Sequence, residues 1–283
     1  MSPEPTLPAA SLALVLVEPA GPLNVGGVAR ACANFAVSDL RLVAPRCSHL
    51  GEEARRMAVH GAGVLEQARL FPSLEAALAD CHRVVATSGR RCGEPLPLHG
   101  LDDALRWLGL PAPTTGAASC HAAPPRALVF GREDRGLSNA ELLQAGRLLS
   151  IDTAGAYGSL NLAQAAAVVL QHWHRLQAAS RPSPAAALTA PAPRALSPLP
   201  PEPCQRGVLE GMLADAETLL LEVGFLYPHT AAARMAKLRT LLQRAQVSDE
   251  EVALLRGMVR QLRWAQARGG TGTTRADDGA RTP

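Results

Sequence analysis

The amino-acid sequence predicts an α/β fold built on a mostly parallel sheet, followed by a small α-helical extension. Three observations carry this. Five short runs, residues 12–17, 40–44, 84–87, 127–130 and 148–151, are almost continuously apolar, as strands covered on both faces are. Helical patterns separate these runs, and strands alternating with helices give a parallel sheet. Residues 180–203 are so rich in Pro and Ala that no packed core can form there, and three amphipathic helices follow.

In chain order, the first strand leads to a helix opened by Asn24, a residue suited to its N-cap. Val25, Val28, Ala29, Cys32, Phe35 and Ala36 form its apolar stripe. A weaker strand covers residues 68–71, and Asp102-Asp103 marks an exposed helix start. Residues 111–125 form a Pro/Ala/Thr-rich insertion. Ser138-Asn139-Ala140-Glu141 is a capping box opening another helix. Residues 160–177 form a long helix, apolar nearly all round to Leu170 and therefore buried. In the extension, a helix over 208–223 is closed by Gly224. The second carries Met235, Leu238, Leu241 and Leu242. The third opens with the capping box Ser248-Asp249-Glu250-Glu251 and carries Val252, Leu255, Val259 and Leu262. The expected division is a flexible N-terminus over 1–10, a first domain over 11–178, a linker over 179–205, a helical extension over 206–268 and a disordered tail over 269–283.

Composition excludes several chemistries. The 283 residues are 47% hydrophobic and carry a net charge of only +3, so the chain as a whole does not attract nucleic acid. Lys237 is the only lysine, which removes the GxxxxGK[ST] phosphate loop and leaves one Schiff-base candidate, in an arginine-rich helix. The six cysteines include no CxxC pair and no zinc-finger spacing. No apolar run reaches membrane-span length. Residues 1–10 are Pro-rich and polar, unlike a signal peptide. The expectation is a soluble, reduced, cytoplasmic protein with no metal and no membrane contact. Positive charge gathers at the C-terminal end: residues 231–268 hold Arg234, Lys237, Arg239, Arg244, Arg256, Arg260, Arg263 and Arg268 against Asp249, Glu250 and Glu251.

Four segments place small or polar residues at a strand-to-helix turn or strand end, where backbone amides meet ligands. In the first, Asn24-Val25-Gly26-Gly27-Val28-Ala29-Arg30, two glycines stand in a first helical turn. They cost helix stability and need a reason, which close approach of another backbone or of a substrate phosphate would supply. Thr87-Ser88-Gly89 ends a strand. Phe130-Gly131-Arg132-Glu133 breaks a buried strand at glycine and exposes an Arg–Glu pair. Ile151 ends the last strand, and Gly155, Gly158 and Ser159 turn the chain into the long helix. Ser159 suits the cap of that helix, the amides of Gly158, Ser159 and Leu160 suit the polar end of a cofactor, and Asn161 follows.

In this order and spacing the segments resemble the SpoU-type (TrmH-like) 2′-O-ribose RNA methyltransferases of the SPOUT class. The resemblance covers residues 11–177, and Ser-Leu-Asn before an all-apolar helix is its most specific part. It implies a SPOUT fold with a C-terminal trefoil knot, and a homodimer with the pocket beside its interface. It implies S-adenosyl-L-methionine as cofactor and tRNA as substrate, methylated on the ribose of cytidine or uridine 32 in the anticodon loop. It also implies residue roles. Arg30 is the catalytic arginine, with Ser159 positioning it. Thr87, Ser88, Gly89, Gly131, Ile151, Gly158, Ser159 and Leu160 bind the cofactor. Asn24, Arg132, Glu133 and Asn161 face RNA or brace the site. Some relatives have serine where Gly158 stands. A free arginine, with a pKa above about 12, is a poor base, so Arg30 is read as a ligand of the reacting phosphate and ribose. Aromatic residues are 3% of the chain, too few for a broad stacking platform, and the C-terminal helices are either an arginine-rich RNA surface or a helical hairpin that extends the dimer. Two other readings stay open: methylation of a base or of ribosomal RNA, and a non-catalytic RNA-binding module.

Overall fold

A computed structural model of the chain describes residues 12–89, 95–109, 125–154, 158–179 and 202–269. The expected N-terminal segment 1–10 and most of the insertion, linker and tail lie outside the described residues, as does Gly155.

Seven parallel strands form one sheet. They are β1 (Leu12–Val17), β2 (Asp39–Val43), β3 (Arg69–Phe71), β4 (Arg83–Thr87), β5 (Leu98–His99), β6 (Arg126–Phe130) and β7 (Arg147–Leu149), in spatial order β3-β2-β1-β6-β4-β7-β5. Leu14 pairs with Leu40 on one side and Leu128 on the other. Alternate residues of each strand enter different cores. Leu14, Leu16, Leu40, Leu42, Leu128 and Phe130 meet helices α1 (Pro22–Asn34), α5 (Leu101–Gly109) and α7 (Leu162–Ala179). Ala13, Val15, Val43, Ala127 and Val129 face the other way, toward α4 (Leu74–Leu78) and α6 (Asn139–Leu142). Both faces are covered, which is why the strands read as unbroken apolar runs. The outer strand β5 has two residues and went unread.

Two helix starts differ from expectation. α1 begins at Pro22 with Gly21 as its N-cap, because proline at N1 supplies the helical φ and lacks only an N–H that would be unpaired anyway. Asn24 lies inside the first turn. α7 begins at Leu162 and is capped by Asn161, whose Oδ1 accepts from the Ala163 N–H at 2.9 Å. Ser159 is therefore not the cap, and Leu160 is outside the helix. The two glycines of α1 also find their reason. A Cβ at Gly26 would lie 2.3 Å from the Ala54 carbonyl oxygen of α2 (Glu52–Ala58), and one at Gly27 would lie 2.9 Å from the Ala163 Cβ of α7. They admit neighbouring helices, and the short helix α3 (Ala62–Glu66) follows α2 on the same layer.

The extension is three helices, α8 (Arg206–Glu222), α9 (Pro228–Ala245) and α10 (Asp249–Gly269), around Leu209, Met212, Leu213, Met235, Val247 and Val252. Both expected capping boxes are present, Ser138 with Glu141 and Ser248 with Glu251. The helices dock at the amino end of the sheet. The N–H groups of Arg206 and Gly207 donate to the carbonyls of Cys81 and Ala79, both at 3.0 Å. Arg83 donates to Glu202 at 2.6 Å, Trp107 Nε1 to Gln246 at 3.2 Å, and Gln243 to the Leu143 carbonyl. Arg256 and Arg263 donate to the carbonyls of Val208 and Asp215 in α8. No helix of the described residues is long and apolar enough to cross a membrane.

Candidate active site

At the carboxyl end of the sheet, three loops enclose a cavity of about 320 Å³, within the range of small-molecule sites. The loop after β4 brings Thr87, Ser88 and Gly89. The loop after β6 brings Gly131 to Leu137, and the segment after β7 brings Ile151, Thr153, Gly158, Ser159 and Leu160. All eight residues assigned to a cofactor thus line one space. Phe130, Leu137, Leu149 and Leu162 give it an apolar wall.

The loops after β4 and β6 are fixed by hydrogen bonds to backbone carbonyls. The Ser88 N–H donates to the Leu149 carbonyl at 2.9 Å, and the Thr87 hydroxyl to the Val129 carbonyl at 3.1 Å. After β6 the chain turns on itself: the Gly136 N–H donates to the Arg132 carbonyl at 2.9 Å, and Gly136 takes φ 68°. A Cβ on Gly131 would lie 2.4 Å from the Leu137 nitrogen, so only glycine closes this turn. Gly158 differs, since among the described residues the nearest atom to a Cβ there is Thr153 Oγ1 at 3.7 Å.

Arg132 and Glu133 are adjacent but do not pair with each other, contrary to expectation. The Arg132 side chain is 8% exposed and is bound to Glu18 at 2.5 Å and Asp134 at 2.9 Å. Held this way it braces the loop rather than facing RNA. Glu133 turns to the start of α1. Its carboxylate accepts from the N–H groups of Ala20 (3.1 Å) and Gly21 (3.0 Å) and from Asn24 Nδ2 (3.1 Å). Partial desolvation opposes its ionisation, and these donors outweigh that, holding the carboxyl below its usual range. Asn24 Oδ1 in turn accepts from Asn161 Nδ2 at 2.8 Å. Asn24, Glu133 and Asn161 therefore form one bonded unit that ties three of the four segments together.

Arg30 stands apart. It is exposed on α1 and does not line the cavity of its own chain. Asp134, Arg135 and Thr153 also line it, and no sequence motif marks them. The signal that would have found them is position alone, since they follow the carboxyl ends of β6 and β7. Among the described residues no group of three or more His, Cys, Asp or Glu could hold a metal ion.

Comparison with known proteins follows the same division. The SpoU rRNA Methylase family model matches residues 11–171. The family model for the C-terminal domain of the tRNA methyltransferase TrmJ matches residues 208–272. The chain is 34% identical over 253 residues to the tRNA (cytidine/uridine-2'-O-)-methyltransferase TrmJ of Cronobacter sakazakii, covering 88% of this chain and 94% of that protein. It is 34% identical over 250 residues to the tRNA (cytidine/uridine/adenosine-2'-O-)-methyltransferase TrmJ of Pseudomonas aeruginosa, covering 87% and 91%. The crystal structure of TrmJ from Z. mobilis ZM4 aligns with a TM-score of 0.70 at 29% identity, over 90% of this chain and 100% of that one.

Proposed function

The chain belongs to the SpoU methylase family, and from that premise we propose that it transfers a methyl group from S-adenosyl-L-methionine to a ribose 2′-hydroxyl of tRNA, at cytidine or uridine 32 of the anticodon loop. The observation that carries this is the cavity: residues 87–89, 130–137, 149, 151, 153 and 158–160 converge on it. Its apolar wall and its glycine-bounded rim suit an adenosyl group with a polar tail. The named relatives are 2′-O-methyltransferases of tRNA.

When bound, S-adenosyl-L-methionine supplies a methyl group on a sulfonium, an electrophile that needs no covalent enzyme intermediate. The protein's work is alignment. The amides of Gly158, Ser159 and Leu160 hold the cofactor's polar end, and Thr87, Ser88, Gly89, Gly131 and Ile151 fix its remaining length. The Ser159 hydroxyl positions Arg30. Arg30 binds the phosphate beside that ribose. Since Arg30 does not reach its own chain's cavity, this role requires a homodimer in which it completes the partner's site. Leu23 of α1, Met57 of α2 and Val168 of α7 are exposed apolar side chains on the helical layer that bears Arg30, as a buried interface requires. The trefoil knot belongs to the same reading, and a sheet order in which β7 lies between β4 and β5, which precede it in the chain, supports it.

Incubation with S-adenosyl-L-methionine and unmodified tRNA, followed by nucleoside analysis, tests the proposal. A 2′-O-methylated pyrimidine at position 32 is the expected product. A methylated base overturns it, and absence of cofactor binding in calorimetry, with and without RNA, favours a non-catalytic module.

A further inference from the structure

A ribose hydroxyl that takes a methyl group has a proton to lose, and the cavity offers it no good acceptor. Its two carboxylates are committed. Glu133 accepts from Ala20, Gly21 and Asn24, and both oxygens of Asp134 are held by Arg132 at 2.9 Å. Both carboxyls lie below their usual range, Asp134 through its bond to Arg132 and Glu133 because its partial desolvation is outweighed by its donors. Among the described residues no histidine, cysteine, lysine or tyrosine lines the cavity. Serine and threonine hydroxyls are weak bases, and a guanidinium keeps its proton. A side-chain acceptor therefore has to enter as Arg30 does, from the other chain.

Beside Arg30 the helical layer bends sharply. α2 ends at Ala58, and Val59 takes φ 50° and ψ -111°, a conformation that β-branched residues avoid and that persists where function requires it. A single 3-10 turn, Val59–Gly61, follows. Gly61 rests directly on α1: a Cβ there would lie 2.8 Å from the Ala29 carbonyl oxygen and 2.9 Å from the Arg30 Cα. The bend thus buries Gly61 against residue 30 and leaves the preceding residue, His60, exposed beside it. Arg30 is exposed too, and among the described residues neither side chain is engaged in a hydrogen bond or ion pair.

The charges around this turn leave the imidazole without a carboxylate partner. α1 contributes Arg30 and no acid. On α2, Glu52 and Glu53 stand in the first turn, at the end away from His60, while Arg56 is exposed nearer to it. Glu66 of α3 is paired with Arg55 at 3.0 Å. Exposed Met57 and Val59 flank His60 in sequence, so it lies at the border of the apolar patch assigned above to the dimer interface.

We propose that His60 accepts the 2′-hydroxyl proton in the partner's site. The ribose oxygen bonds to the methyl carbon as the carbon–sulfur bond breaks. The electron pair of that bond stays on sulfur, which leaves as a neutral thioether. The hydroxyl proton passes to an imidazole nitrogen and then to solvent. Histidine suits this step because imidazole exchanges protons near neutral pH and guanidinium does not. The inference rests on the reaction and on the cross-dimer role of Arg30 proposed above, and it divides the work: Arg30 binds phosphate and His60 takes the proton.

The test measures single-turnover methyl transfer by the full chain from pH 5 to 8, with affinities for tRNA and S-adenosyl-L-methionine as controls. His60→Ala should slow transfer by about 10²- to 10⁴-fold with both affinities unchanged. The wild-type rate should climb with pH over the range in which imidazole loses its proton, and the alanine variant should lack that rise. Added imidazole should restore part of the rate to His60→Ala and none to Arg30→Ala. His60→Gln, which keeps a hydrogen-bonding side chain but takes no proton, should be as slow as the alanine variant. A wild-type rate in either His60 variant overturns the proposal, as does the same pH rise in both proteins. A loss explained by weaker tRNA binding overturns it as well, since His60 would then be a binding group. A wild-type chain that yields no 2′-O-methylated ribose overturns the reaction itself, before any variant is considered.

Discussion

Asn161 Nδ2 donates to Asn24 Oδ1 across 2.8 Å, joining residues 137 positions apart. The direction of that bond is set at its far end. Asn161 Oδ1 accepts from the Ala163 N–H at the start of α7, so its amide nitrogen must face Asn24. Asn24 must then present its oxygen to Asn161 and its nitrogen to Glu133. Polarity runs one way through the unit, from a helix start to a carboxylate.

Asn161→Asp is therefore a sharp test. The aspartate still caps α7, but its second oxygen meets the Asn24 oxygen, and turning Asn24 over only moves the clash to Glu133. Cofactor affinity should fall about tenfold, near 1.4 kcal/mol, while helix content by circular dichroism is unchanged. Equal affinity in variant and wild type would separate the unit from the cavity.

Glu133 makes the site acid-sensitive. Its carboxyl lies below the ordinary value of 4.5, so its stabilising contribution is complete above about pH 4.5 and is lost as pH falls through the depressed folded value. Glu133→Gln should cost about 0.5–1.5 kcal/mol at neutral pH, the modest range expected at an exposed position. The cost should shrink below pH 4. Thermal melts of both proteins from pH 3 to 7 check this, and parallel curves would contradict it.

Two glycines should respond oppositely to added atoms. Gly26→Ala drives a methyl group against the Ala54 carbonyl oxygen at 2.3 Å and should destabilise by about 1–3 kcal/mol. Gly158→Ser adds its Cβ at ordinary contact distance, 3.7 Å from Thr153 Oγ1. It should leave both stability and cofactor affinity within about twofold of wild type, which calorimetry and melting would show.

Arg30 is expected to act across the dimer. Arg30→Ala should abolish methylation and keep cofactor affinity. Gly131→Leu, which blocks the β6 turn, should lose both. Mixed dimers of the two carry one intact cavity served by one intact Arg30, so random pairing should restore about a quarter of wild-type activity. If the mixture stays as inactive as its components, Arg30 does not serve a partner.

The strands were legible because burial on both faces leaves little room for polar residues, as in β1 with all six residues buried. The loops that line the cavity were legible because chains leaving a sheet need small residues, as at Gly131. The exact caps were not. Asn24 and Ser159 both have cap chemistry, and only the helix start at Pro22 and the Asn161–Ala163 bond decide against them. The reason for Gly26 was open between a neighbouring backbone and a phosphate until Ala54 was seen against it. Arg132 shows why a charged pair in sequence says little about pairing: consecutive side chains diverge, and its partners are Glu18 and Asp134. The position of Arg30 relative to a cavity is a property of helix rotation and assembly, which no local motif encodes.

Glu202 gives the seam between the two units a further meaning. It meets Arg83, 119 positions earlier, whose side chain is 1% exposed. Removing one member of such a buried pair costs about 3–5 kcal/mol. The catalytic half and its tail are thus poor modules for exchange. A lineage that shed the tail or grafted another would have to replace Arg83 at the same time, so the two halves are bound to change together.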